Sequence, residues 1–242
     1  MSAEVLQSQS QIDQALSELR SRKLSCVTTP LRIFFQRLGI LKSIKIGDEL
    51  KSWDVLKTVR YIEDHMERDA PILDIGAYAS EILCILHRLG NTHLTGVDLN
   101  SDIGKMPHAD KIRYVRSDFM HTPFEDSSFA AITSISVIEH GFNAPALLAE
   151  MSRLLRPGGY FIASFDYWPE KIDTSDTPFF GMDWKIFSKL EVLSFVKEAA
   201  AYGFVPCGEL RLDAGERPIS CAQREYTFGW LVLQKNPSSA AP

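Results

Sequence analysis

Pro71-Ile72-Leu73-Asp74-Ile75-Gly76 is a short apolar run that stops at an acid and a glycine. Behind it, SEILCILHRLG (80–90) has the composition of a helix halted by a glycine. The same alternation then repeats outward. HLTGVDLN (93–100) is a second strand with an acid near its end, KIRYVRSDF (111–119) a third and FAAITSISV (129–137) a fourth. GYFIASFDY (159–167) is a fifth, reached through the helical APALLAEMSRLLRPGG (144–159). Strands of about four to eight residues separated by helical runs of about ten or more imply βαβ units and a parallel sheet.

The flanks complete an α/β, doubly wound sheet. KLEVLSFVKEAAAYGF (189–204) is a further helix, followed by two strands around 207–212 and 226–233 with no helical pattern between them. These are expected to form an antiparallel pair at one edge. Upstream, residues 1–23 are rich in Gln and Ser with weak helical periodicity, and 24–68 divide into PLRIFFQRLGIL and DELKSWDVLKTVRYIEDHMER. The second piece puts Val55, Val59, Ile62 and Met66 on one face, away from Lys57, Arg60, Asp64 and Glu67. Residues 1–68 therefore read as a helical extension that closes over the site, 69–235 as the main domain, and 236–242 as a disordered tail. The basic Arg32–Arg37 stretch reads as a packed amphipathic helix in preference to a membrane contact.

Composition narrows the function. A formal charge of −5 over 242 residues argues against a broad phosphate-binding face, so nucleic acid is not the expected partner. No window approaches the ~18 apolar residues of a membrane span, and the N-terminus lacks an apolar signal core. Cys26, Cys84, Cys207 and Cys221 show no paired spacing and read as buried thiols in a reducing, cytoplasmic compartment. The histidines form no H-x-H or H-E-x-x-H, so no metal is expected. Nothing in the chain indicates an oligomeric state.

In open α/β sheets, ligands meet the carboxyl ends of the strands where the winding reverses. Four such ends carry polar residues here. Gly76 after Asp74 lets the backbone approach a ligand. Asp98, 22 residues on, suits the two hydroxyls of a ribose, with loop capping as its bland alternative. Asp118-Phe119 joins an acceptor to an aromatic plane and suits an adenine. Ser136-Val137-Ile138-Glu139-His140 follows the central strand.

With these blocks in order (LDIG, GVDLN, RSDF, TSISVIEH and LLRPGGYFIAS), the stretch from Leu73 to about Ser164 resembles the class I S-adenosylmethionine-dependent methyltransferases. The resemblance implies a Rossmann-like seven-strand sheet with an antiparallel last strand, and S-adenosylmethionine (SAM) as cofactor. Position by position it puts Asp74 and Gly76 at the methionine moiety, Asp98 with Leu99 at the ribose, Asp118 and Phe119 at the adenine, and Ser136 on the floor below the sulfonium. Glu139 and His140 would face the acceptor. An oxygen acceptor, less readily a nitrogen, on a small molecule or a sugar is the expected substrate. His140 is the first candidate base, with Glu139 and Asp166 behind it.

The first loop departs from the family's D-x-G-x-G-x-G, reading Asp74-Ile75-Gly76-Ala77-Tyr78-Ala79-Ser80. Tyr78 must swing out or fill the space of the cofactor's carboxylate end. A chain that kept the fold and lost the chemistry, acting as a scaffold, is the alternative this loop raises. An NAD-dependent oxidoreductase is remoter, because G-x-G-x-x-G fails at both later glycines. Residues 166–188 form a long aromatic connection, read either as an apolar flap or as an acceptor wall, and Asp166 and Tyr167 begin it.

Overall fold

The computed structural model describes residues 2–27, 44–179 and 181–237. In chain order these form β1 (Ala3–Val5), α1 (Gln9–Ser21), a 3-10 turn (Glu49–Lys51) running into α2 (Ser52–His65), β2 (Ile72–Ile75), α3 (Ile82–Arg88), β3 (Leu94–Asp98), β4 (Arg113–Arg116) and β5 (Phe129–Ile135). There follow α4 (Ala144–Leu154), β6 (Leu155–Tyr167), α5 (Lys189–Ala199), β7 (Phe204–Pro206), β8 (Ile219–Cys221) and β9 (Arg224–Lys235). The sheet runs β4-β3-β2-β5-β6-β9, with β2–β6 parallel and β9 antiparallel to β6. Winding reverses between β2 and β5, so a crevice is expected beyond Ile75 and Ile135.

Six strands, β2–β6 and β9, occupy the expected places, and three short ones share the outer edge of β9. β7 pairs with Leu233–Lys235, β1 with Gly229–Leu231 and β8 with Arg224–Tyr226. Ser2 stitches the first two together, donating its hydroxyl to the Val232 carbonyl and accepting from the Cys207 amide. Three short strands thus cover one long edge that would otherwise offer unpaired backbone. The strand expected at 207–212 is displaced for the same reason. Because β1 holds the middle of that edge, this segment lies outside it, alongside β1, with Arg211 donating to the Ala3 carbonyl.

Period-two alternation splits the core. Phe161, Ala163, Phe165 and Tyr167 of β6, with Leu231 and Leu233 of β9, face α4 and α5. Ile162, Trp230 and Val232 face α1, α2 and α3. On that second face the apolar residues of β6 give way to Ser164 and Asp166 toward its carboxyl end. α2 lies over this region: Trp230 donates its indole N–H to Thr58, and Ser164 donates to Asp54 Oδ2 at 2.7 Å. Val55, Val59 and Ile62 are buried as their periodicity predicts. PLRIFFQRLGIL and most of the tail lie outside the described residues.

Two composition readings need correction. Only Cys84 is buried; Cys26, Cys207 and Cys221 are partly exposed, and all four are free thiols. The histidines, which show no paired spacing in the sequence, include His87 and His108 with ring centroids 4.7 Å apart, because α3 ends beside the loop after β3. Among the described residues no helix is long and apolar enough to cross a membrane.

Candidate active site

The first half of the site is built by the ends of β2 and β3. Asp74 is buried; Thr133 donates to its Oδ1 at 2.6 Å, while Oδ2 has no hydrogen-bond partner among the described residues. Burial raises this carboxyl to about 7, against the hydroxyls of Thr133 and Ser80, which lower it. Gly76 follows at φ +66°, and a Cβ there would meet Val137 at 2.3 Å. The glycine therefore makes room for Val137 and a left-handed turn. Asp98 accepts from the Tyr78 amide at 3.0 Å and the Asn100 amide at 2.8 Å. It caps its loop and, by the same bonds, fixes the first loop against β3.

The substituted positions of that loop find local roles. The Tyr78 ring is half-buried and packs against the apolar core beneath α3. Ser80 accepts from the Ile82 amide at the start of α3. Leu99, 55% exposed, stands next to Asp98 as an uncovered apolar side chain. Asp118 is exposed and accepts from the Met120 amide at 2.9 Å; Phe119 is half-buried against the core. The Ser117 amide donates to the Asp98 carbonyl, so these residues border the same strand end.

The second half lies beyond β5 and β6, where α2 begins. Ser136 takes φ +52° and accepts from the Lys51 ammonium. That ammonium sits 3.8 Å from Asp166 Oδ1 and 3.5 Å from the centre of the Phe228 ring. Trp184 donates its indole N–H to Asp166 Oδ2 at 2.8 Å, and Asp166 Oδ1 has no hydrogen-bond partner among the described residues. Glu139 is buried with Oε2 unpartnered in the same sense. Burial, then the Asp166 charge, push the Glu139 carboxyl well above its usual range, while Lys51 pulls it down. Asp54 is buried and raised to about 6 by burial, opposed first by Lys51 and then by Ser164. Burial lowers the His140 imidazole, against the Asp166 charge that raises it, which favours the neutral form able to accept a proton.

Asp74, Ser136, Glu139, His140 and Asp166 thus converge on the carboxyl ends of neighbouring strands, with Asp98 beside them. Tyr167 does not. Alternation sends it to the opposite face, where its hydroxyl donates to the Leu212 carbonyl. The aromatic connection packs inward: Trp168, Trp184 and Phe187 are buried, and Trp184 forms a bridge with His140. Phe180 lies outside the described residues.

Lys51, Asp54, Glu81 and Tyr226 were not expected at the site. Glu81 is buried, accepts from the Cys26 amide at 2.9 Å and is raised to about 7, chiefly by burial. Burial and then the Asp166 charge push the Tyr226 phenol up. A sequence signal existed for Asp54, an acid inside the apolar Trp53–Leu56 run of an amphipathic helix. Among the described residues no group of three or more candidate ligands is arranged to hold a metal ion.

Residues 73–163 match the family model described as a methyltransferase domain. The chain is 31% identical over 98 residues to a sterol 24-C-methyltransferase of Gibberella zeae, covering 37% of this chain and 26% of that one. It is 30% identical over 100 residues to a cycloartenol-C-24-methyltransferase of Arabidopsis thaliana, covering 38% and 30%. The matches thus span between a quarter and a third of these relatives' length. The fold is similar to that of geranyl diphosphate C-methyltransferase from Streptomyces coelicolor A3(2) in complex with Mg2+, geranyl-S-thiolodiphosphate and S-adenosyl-L-homocysteine. That TM-score is 0.60, at 15% identity over 91% of this chain and 98% of that one. It is also similar to Burkholderia thailandensis 1,6-didemethyltoxoflavin-N1-methyltransferase, with TM-score 0.54 at 17% identity over 76% and 78%. Strand order, switch point and family match agree: over residues 73–163 this chain carries a class I S-adenosylmethionine-dependent methyltransferase domain in a Rossmann-like fold.

Proposed function

We propose that this chain transfers a methyl group from SAM to an oxygen of a small molecule or sugar. The residues suit the cofactor. Asp98 is held by two backbone amides with lone pairs left for a ribose, Leu99 offers an uncovered apolar face, and Asp74 Oδ2 is an acceptor without a donor. Bound SAM supplies an electrophilic methyl on a sulfonium. The chain's own part is then to align an acceptor, exclude water and take a proton. Neutral His140 is the base; Asp166, fixed by Trp184, and Glu139 lie beside it.

The observation that carries the oxygen reading is the polar wall beyond β5 and β6. Lys51, Glu139, Asp166 and Tyr226 meet there, and a hydroxyl finds hydrogen-bond partners among them. The names of the sterol and terpenoid relatives favour a second reading, transfer to carbon. The segment that matches the family model is the domain core, and α2 lies outside it. Incubation with methyl-tritiated SAM and a panel of sugars, phenols, sterols and prenyl diphosphates separates the two. Label in a hydroxylated acceptor, reduced at least about tenfold by His140→Ala with SAM affinity kept, supports the oxygen reading. Label only in an alkene carbon overturns it.

A further inference from the structure

Asp54, Glu139 and Asp166 come from α2, the loop after β5 and the end of β6, and face one ammonium, that of Lys51. The groups turned toward Glu139 are Lys51 from the 3-10 turn, Asp54 from α2, Asp166 from β6 and Tyr226 from β9; His140 is its neighbour in the chain. All three carboxylates are at least nine-tenths buried, and Glu139 Oε2 and Asp166 Oδ1 have no hydrogen-bond partner among the described residues. One cation against three acids leaves the protein short of positive charge. A buried carboxylate without a counter-charge holds a proton instead.

We infer that these carboxylates make the site select its cofactor by charge, holding the sulfonium of SAM more tightly than the neutral thioether of S-adenosylhomocysteine. The inference rests on the methyltransferase reading and deepens it. A sulfonium brought among these groups supplies the missing charge, and a proton leaves a carboxyl for solvent as it binds. Once the methyl has been transferred, the sulfur is neutral. A carboxylate then loses its counter-charge and takes a proton back. The demethylated product thereby loses its hold through the change made by the reaction itself.

The sign with pH follows. Below the raised values of Asp54 and Glu139 these two carboxyls are protonated, and binding a cation requires a proton to be expelled. SAM affinity therefore climbs as pH rises from 5.5 to 8, while that of S-adenosylhomocysteine changes little. Titration calorimetry of the full chain with each compound, at several pH values and in two buffers of different ionisation enthalpy, reads both affinity and proton release. The expected result is a preference for SAM that grows about tenfold over that range, as for the release of about 0.4 proton averaged across it, with protons released by SAM alone. Glu139→Gln should flatten the dependence; Asp54→Asn, which keeps an acceptor for Ser164, serves as a second variant. Binding of both compounds with a pH-independent ratio overturns charge selection and leaves the methyltransferase reading intact. Binding of neither overturns both.

Discussion

Replacing Asp54 by Asn should make the protein more stable at neutral pH. The carboxyl is buried, and its usual value of 3.8 is raised to about 6 even with Lys51 and Ser164 supporting the charge. At about 1.4 kcal/mol per tenfold change in proton affinity, the ionised form destabilises the fold by about 3 kcal/mol at pH 7.5. Asn keeps one acceptor for the Val55 amide or the Ser164 hydroxyl, now both bonded to Asp54. Loss of the other bond takes back about 1 kcal/mol, leaving a net gain of about 2 kcal/mol. The folded-state value lies above the unfolded one. Protonation at Asp54 therefore favours folding fully below about pH 4, and that contribution is lost as pH climbs through about 6. The advantage of Asn should accordingly shrink by about 1.5 kcal/mol between pH 7.5 and pH 5. Urea denaturation of both proteins at the two pH values reads this directly. A variant less stable than the parent at pH 7.5, or an advantage independent of pH, would refute the reasoning.

Other substitutions test the frame around the site. Gly76→Ala places a Cβ 2.3 Å from Val137 at φ +66°, and should destabilise by about 2–4 kcal/mol in urea titration; a loss under about 1 kcal/mol contradicts the packing described. Lys235→Met removes the ammonium that donates to the Ser152 and Leu155 carbonyls at the end of α4, at 2.6 and 2.9 Å. It should lower stability by about 1–3 kcal/mol, and an unchanged urea midpoint would contradict that.

The parallel half of the fold was legible because each strand is an apolar run ended by an acid or a turn. Asp74, Asp98, Glu139 and Asp166 were legible for the same reason. β1 was not, since Ala3–Val5 is too short to show alternation and takes its place only because β9 leaves an edge open. Asp54 sits beside the apolar face of α2, where one turn of angle separates a solvated acid from a buried one. Its position against Ser164 depends on how α2 crosses β6, across 110 residues of sequence. Lys51 was hidden likewise, in a short turn whose contact with Ser136 spans 85 residues. Tyr167 shows the reverse failure: it adjoins Asp166 in sequence, yet period-two alternation puts it on the other face of the sheet.

The most direct test of the proposed activity is calorimetry of the full chain with SAM, alongside Asp98→Ala and a separate titration with NAD. Micromolar SAM binding, lost in the variant, with no NAD binding, is the expected result. Absence of SAM binding by the parent protein would contradict the methyltransferase reading and point to a scaffold, whereas binding of NAD in its place would revive the oxidoreductase.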